Sequence, residues 1–64
     1  MSELVKQKLD DLYDFLRQKK YSTQTIELVQ KSFDFANYYY GDQTRKSGEP
    51  YIIHPIATVR ILAS

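Results

Sequence analysis

Residues 44–56, which read TRKSGEPYIIHPI, carry most of the side chains in this chain that are suited to binding chemistry. Arg45 offers five hydrogen-bond donors in a flat fork that also stacks on rings, and Lys46 adds a compact positive charge. Ser47 and the backbone of Gly48 add neutral donors. These groups would suit a phosphorylated base, although cations in a turn of this composition are also typical of a solvated surface.

His54 is the only histidine of the chain, and imidazole is a common ligand of divalent metals. A catalytic metal normally takes three or more protein ligands, and the sequence offers neither a cysteine nor a second histidine. The residues alone therefore leave His54 open as a metal ligand or as a capping or packed histidine. Glu49 is expected to neutralise one of the nearby cations through a surface pair worth about 0 to 1 kcal/mol.

No catalytic residue is predicted within the chain. The sequence contains no Ser-His-Asp arrangement and no glycine-rich phosphate loop. Its other carboxylates fall on predicted helix faces, where solvation accounts for them.

Two amphipathic helices must hold this segment in place. The first is predicted over about 3–20, with Ser2 as its cap, because apolar residues recur there at steps of three and four. These residues are Val5, Leu9, Leu12, Tyr13 and Leu16.

The second helix is predicted over 23–40, capped by Ser22 or Thr23 and ended by Gly41. A second apolar edge on this helix is wider than one partner helix of this size would need. It therefore predicts contact with something absent from this chain, and it consists of Leu28, Phe35 and Tyr39. The adjoining Tyr38-Tyr39-Tyr40 triplet is interpreted as packing at the core and its rim.

An irregular loop is predicted over 41–54, with a tight turn at 46–50 and a short extended piece at 51–53. A third helix is predicted over 55–63, because Pro55 fits a first helical position. The fold class is therefore all-α, with three helices.

The composition limits the function classes. Sixty-four residues make one domain or less, and a net charge of +1 argues against a whole-chain electrostatic binder of nucleic acid. No apolar run approaches the roughly 20 residues that cross a bilayer, and no secretory signal precedes the first helix. The absence of cysteine favours the cytoplasm, and the apolar end at Ser64 suggests a truncated helix.

The eleven residues from Arg45 to Pro55 resemble the opening motif of the hydrolase domain in the Rel/SpoT family of alarmone (guanosine tetra- and pentaphosphate) synthetase/hydrolases. This family is a branch of the HD metallophosphohydrolases and acts in the stringent response. The segment 33–36, Gln43 and the start of the third helix add support. The resemblance implies that residues 1–64 are the incomplete N-terminal part of an HD-type hydrolase domain, with no second domain present.

The resemblance also implies roles for individual residues. Arg45 and Lys46 would pack around the guanine base with Ser47 beside them, and His54 would be the first ligand of a manganese ion. The metal would activate a water that releases pyrophosphate from the 3′ position. The family's remaining metal ligands and its acid/base pair have no counterpart in these residues, so we expect the chain alone to be catalytically inert and to bind no metal.

The chain departs from the family pattern in two places. An alanine-histidine pair and a glycine are usual where this chain has Tyr39-Tyr40 and Asp42. Because Arg45 and His54 are intact, a competent hydrolase is favoured over a degenerate, synthetase-only member. The expected partners are guanosine tetra- or pentaphosphate and the remainder of the hydrolase domain, and the exposed edge of the second helix makes self-association a hypothesis.

Two rival interpretations involve no catalysis. The stretches 15–17 and 21–26 are similar to the DNA-clamping arm of tyrosine recombinases, but the near-neutral charge supplies few phosphate contacts. A helical interaction or regulatory module that lost the chemistry is the other alternative.

Overall fold

The computed structural model describes residues 3–41 and 43–64, which form helices α1 (Glu3–Gln18), α2 (Thr23–Tyr40) and α3 (Ile53–Ala63). No strand occurs in these two ranges, where an isolated bridge joins Thr44 to Pro50. The all-α prediction is therefore confirmed. The predicted cap at Ser2 and the departure at Asp42 lie outside the described residues. None of the three helices is long and apolar enough to cross a membrane.

α1 ends at Gln18, two residues earlier than predicted. The chain turns where Lys20 adopts a left-handed backbone with φ of +65°. The Lys20 N–H donates to the carbonyl of Arg17 at 2.9 Å, and the Tyr21 N–H donates to the carbonyl of Leu16 at 3.1 Å. This pair of bonds is the Schellman ending, in which a left-handed residue satisfies the last helical carbonyls.

α2 begins and ends as the sequence predicts. The Ser22 hydroxyl accepts the N–H of Thr25 at 3.1 Å, so Ser22 is the cap and Thr23 is the first helical residue. Gly41 has φ of +56°, which favours glycine, and its N–H donates to the carbonyl of Asn37 at 2.8 Å.

α3 begins at Ile53, two residues before the predicted start at Pro55. The predicted extended piece at 51–53 is wrong: Ile52 is already helical in backbone angles, and the Ile53 N–H donates to the carbonyl of Pro50. The first helical N–H groups have no intrahelical partner, so a proline costs no hydrogen bond anywhere in the first turn. Proline therefore marks the start of a helix without fixing its first residue.

The core forms around α1, which packs against both α2 and α3. Within the two described ranges, α1 provides half of the buried apolar side chains, in the stripe predicted from their spacing. The buried set is Val5, Leu9, Leu12, Leu16, Ile26, Phe33, Ile52 and Ile56. The hairpin that carries the candidate site therefore lies between two helices that share α1 as a support.

The second apolar edge of α2 is uncovered. Leu28, Phe35 and Tyr39 are 65, 70 and 69% exposed. Beside Leu28 an apolar groove of about 390 Å³ separates α2 from α3, and it is lined by Leu28, Val29, Ser32, Phe33, Ala36, Pro55 and Val59. That this edge contacts another body stays a prediction.

Candidate functional site

A hairpin over residues 43–51 carries the cationic side chains. The Gly48 N–H donates to the carbonyl of Arg45 at 2.8 Å, and the Arg45 N–H donates to the carbonyl of Glu49 at 2.9 Å. Gly48 has φ of +86°, as expected of the left-handed residue that closes a short hairpin loop. The predicted tight turn is therefore present. The segment predicted as an irregular loop contains a hydrogen-bonded hairpin in its middle.

Three sequence-predicted residues line one open cleft, which we call the hairpin cleft. Arg45, Lys46 and Ser47 border it together with Thr44 and Tyr51, around a volume of about 560 Å³. Arg45, Lys46 and Ser47 are all exposed. The cleft thus offers a flat cation, a point charge and hydroxyl groups to a solvent-borne ligand.

His54 joins this group through Arg45. Nη1 of Arg45 is hydrogen-bonded to Nε2 of His54, which places the ring proton of a neutral imidazole on Nδ1. His54 is the second residue of α3, and its side chain is 54% exposed. The exposed His54 is therefore not a packed histidine. It is not a capping residue either, because no side-chain hydrogen bond caps α3 at Ile52.

Glu49 approaches His54 as well. Its Oε1 lies 3.7 Å from His54 Nε2, and its side chain is 42% exposed. The predicted partner of Glu49 was one of the cations, so the position beside His54 was missed. The two neighbours of Nε2 exclude each other as hydrogen-bond partners: Nε2 accepts from Arg45 when it carries no proton, and it can donate to Glu49 only when it carries one.

Tyr51 is the aromatic residue of the cleft, and sequence reasoning did not assign it to the site. Its ring stacks on that of Tyr40, with centroids 5.2 Å apart and planes 14° apart. Its N–H donates to the carbonyl of Gln43 at 3.0 Å, across the hairpin. The turn at Lys46 and Ser47 was the available signal, because a chain that reverses there returns Tyr51 to the end of α2.

The donor set of the described residues fits one metal ligand but not a whole metal site. In the two described ranges, no three side chains of the histidine, cysteine and carboxylate types are grouped closely enough to hold an ion. Nε2 of His54 has one carboxylate nearby and a guanidinium in direct contact. A divalent cation would need further ligands from elsewhere.

Known proteins match this chain over much of its length. A guanosine-3′,5′-bis(diphosphate) 3′-pyrophosphohydrolase of Vibrio cholerae is 47% identical over 55 residues, which covers 81% of this chain. A protein of the same name from Aquifex aeolicus is 48% identical over 40 residues, or 62% of this chain. A GTP pyrophosphokinase of Streptomyces antibioticus is 43% identical over 44 residues, or 69% of this chain.

These relatives are much longer than the region that they share with this chain. The chain spans 8, 6 and 5% of the Vibrio, Aquifex and Streptomyces proteins, respectively. No family model matches the chain. No solved structure matches it either.

Proposed function

The chain is homologous to the Rel/SpoT family over most of its length, and we propose that it supplies the guanosine-binding side of a hydrolase that removes pyrophosphate from guanosine-3′,5′-bis(diphosphate). The observation that carries the proposal is the convergence of Arg45, Lys46 and Ser47 on one open cleft with His54 joined to it. In this proposal the chain is one part of an HD-type hydrolase domain.

The cleft chemistry suits a guanosine nucleotide. The flat guanidinium of Arg45 can stack on a purine, and its N–H groups can donate to base or phosphate oxygens. Lys46 adds a charge that attracts phosphate, and Ser47 adds a hydroxyl that both donates and accepts. Because the cleft is open on one side, we expect the chain alone to bind such a nucleotide in the millimolar range.

His54 is proposed as one ligand of a manganese ion whose other ligands belong to the remainder of the domain. Arg45 donates to Nε2 of His54, so a metal can bind this nitrogen only after that hydrogen bond breaks. The described residues of this chain would therefore bind the nucleotide and hold one ligand in place. They would carry out no hydrolysis by themselves.

The setting of this activity is also part of the proposal. The whole protein would act on guanosine tetra- or pentaphosphate in the cytoplasm, as the absence of cysteine favours. The Streptomyces relative is named a GTP pyrophosphokinase, and for this chain we propose a part in hydrolysis alone.

A chimera tests the proposal. The 55-residue matched stretch of the Vibrio cholerae protein would be replaced by the aligned stretch of this chain. We expect the chimera to hydrolyse guanosine-3′,5′-bis(diphosphate) in the presence of manganese. His54→Ala in the chimera should abolish hydrolysis, and Arg45→Ala should raise KM more than it lowers kcat, because Arg45 is proposed to bind the base.

The control is an exposed residue away from the cleft. Lys31→Ala in the chimera should leave kcat and KM unchanged, since Lys31 is an exposed polar residue in the middle of α2 and does not line the cleft. A chimera that keeps the melting temperature of the Vibrio protein but does not hydrolyse the nucleotide would contradict the proposal.

A further inference from the structure

The Tyr40–Tyr51 pair joins the end of α2 to the cleft. Tyr40 is the last residue of α2, and Tyr51 is the one aromatic residue that lines the cleft. Their rings lie nearly parallel at 5.2 Å, within the range of an attractive aromatic stack. The ring of Tyr40 also meets that of Tyr39 edge-on at 5.3 Å, so Tyr40 is held from two sides.

The backbone fixes the same two segments relative to each other. The Gln43 N–H donates to the carbonyl of Tyr40 at 3.1 Å, and the Tyr51 N–H donates to the carbonyl of Gln43 at 3.0 Å. Tyr51 is nevertheless 45% exposed, so a large part of its ring remains available to a ligand. The residue is thus fixed in place but not covered.

An aromatic ring beside cations matches the two halves of a nucleotide. A base stacks on an aromatic side chain whatever its hydrogen-bonding pattern, and phosphates are attracted by the charge of Lys46. We propose that Tyr51 forms the base-stacking surface of the hairpin cleft and that Tyr40 is its positioning residue. This inference rests on the proposed function, and it adds two aromatic residues that act on the purine rather than on the phosphates.

Nuclear magnetic resonance of the chain tests the inference with two probes. Guanosine-3′,5′-bis(diphosphate) should shift the ring protons of Tyr51 and the amides of Lys46 and Ser47. Inorganic pyrophosphate, which has no base, should shift the amides only. Hairpin shifts with the nucleotide but an unmoved Tyr51 ring would overturn this inference alone, whereas no shift anywhere at millimolar nucleotide would overturn the proposed function as well.

Substitutions at Tyr40 separate positioning from general structural support. We expect Tyr40→Ala to weaken nucleotide binding about threefold to tenfold, the size of one lost aromatic pair, and to leave pyrophosphate binding unchanged. Tyr40→Phe keeps the ring and should restore the affinity. The matched control is Tyr38→Ala, because Tyr38 is 86% exposed and does not line the cleft.

Equal losses for nucleotide and pyrophosphate in Tyr40→Ala would show a structural role only and would overturn the inference. The methyl signals of Leu12 report whether the core is intact in each variant. If Tyr40→Ala loses them, Tyr51→Leu removes the stacking ring directly, and an unchanged nucleotide affinity in that variant would equally overturn the inference.

Discussion

His54 presents one imidazole nitrogen to a guanidinium and a carboxylate. We expect the chain to bind manganese no more tightly than in the millimolar range, because one imidazole is a poor site for an ion low in the divalent affinity series. Paramagnetic broadening of the His54 ring signals during a manganese titration measures this affinity. Arg45→Ala should modestly strengthen binding, because it frees Nε2 from a cationic donor.

The matched comparison is His54→Ala, which should remove the site-specific broadening. Tight binding with one manganese per chain would show that the described residues form a complete site. It would contradict our view that other ligands are needed.

The ionisation of the Tyr13 hydroxyl links the stability of the fold to pH at alkaline values. Burial, followed by the nearby carboxylates of Asp34 and Asp10, raises the pKa of Tyr13 from 10.0 to about 12. The pKa is higher in the folded chain than in the unfolded chain, so the unfolded chain loses its proton first as pH rises. The contribution of Tyr13 to stability is therefore complete below a pH of about 10 and is lost as pH rises toward about 12.

Denaturant midpoints measured from pH 9 to pH 12 should fall less steeply in Tyr13→Phe than in the unsubstituted chain. Tyr38→Phe is the control, because it removes a tyrosine that is 86% exposed. Equal pH profiles for Tyr13→Phe and the unsubstituted chain would contradict the assignment to Tyr13.

Sequence reasoning found Arg45, Lys46 and Ser47 together because they are consecutive in one turn. It missed Tyr51 because the role of this residue follows from its stacking on Tyr40. That contact depends on how the hairpin packs against the end of α2, which the sequence does not show. Tyr40 is also one of the two departures from the family pattern at 39–40, and the stack gives that departure a structural role. Spacing along the chain identified the polar side of the cleft, whereas only the fold identified its aromatic side.

At the scale of elements, Lys20 occupies a position that favours glycine. A left-handed backbone costs a residue with a side chain about 1–2 kcal/mol, and glycine avoids most of this cost. We expect Lys20→Gly to raise the free energy of unfolding by about 0.5–1 kcal/mol, measured by urea denaturation. The larger conformational freedom of glycine in the unfolded chain offsets the remainder.

Gln7→Gly, in the exposed middle of α1, provides the contrast. It should lower the free energy of unfolding by about 1 kcal/mol, because glycine is unfavourable within a helix. A similar loss in Lys20→Gly would mean that the helix continues through this position.

The predicted helix boundaries are correct where the boundary residue is suited to a single position of the helix end. Ser22 and Gly41 are examples, since a hydroxyl cap fits only the residue before the first turn and a positive φ fits only the residue after the last one. Pro55 misled by two residues because every position of a first turn tolerates it. Lys20 could not be identified from its type, because the turn between α1 and α2 imposes its backbone angle.

At the scale of the whole molecule, stability depends on few side chains. Leu12 is 1% exposed, and Leu12→Ala should cost about 2–5 kcal/mol. A small domain has only about 0.05–0.15 kcal/mol of stability per residue, or about 3–10 kcal/mol for 64 residues, so this change should remove a large part of the stability. Urea denaturation followed by circular dichroism measures the loss in the free energy of unfolding.

Leu62→Ala is the matched control, since Leu62 is 79% exposed and should change stability by less than about 0.5 kcal/mol. An unchanged free energy of unfolding in Leu12→Ala would show that Leu12 contributes less to the core than its burial indicates. The uncovered edge of α2 keeps self-association a prediction, which a hydrodynamic radius that rises with concentration would support.

Contacts between residues close in sequence can form earlier during synthesis of the protein than contacts between distant residues. Arg45 meets His54 over nine residues, whereas the Tyr21 hydroxyl reaches the carbonyl of Ala63 over 42 residues. Short loops close with less entropy loss and within about 10–100 ns. During translation the hairpin around Arg45 should therefore close before the end of α3 docks on Tyr21. The candidate site would then take shape before the helix that supports it has docked.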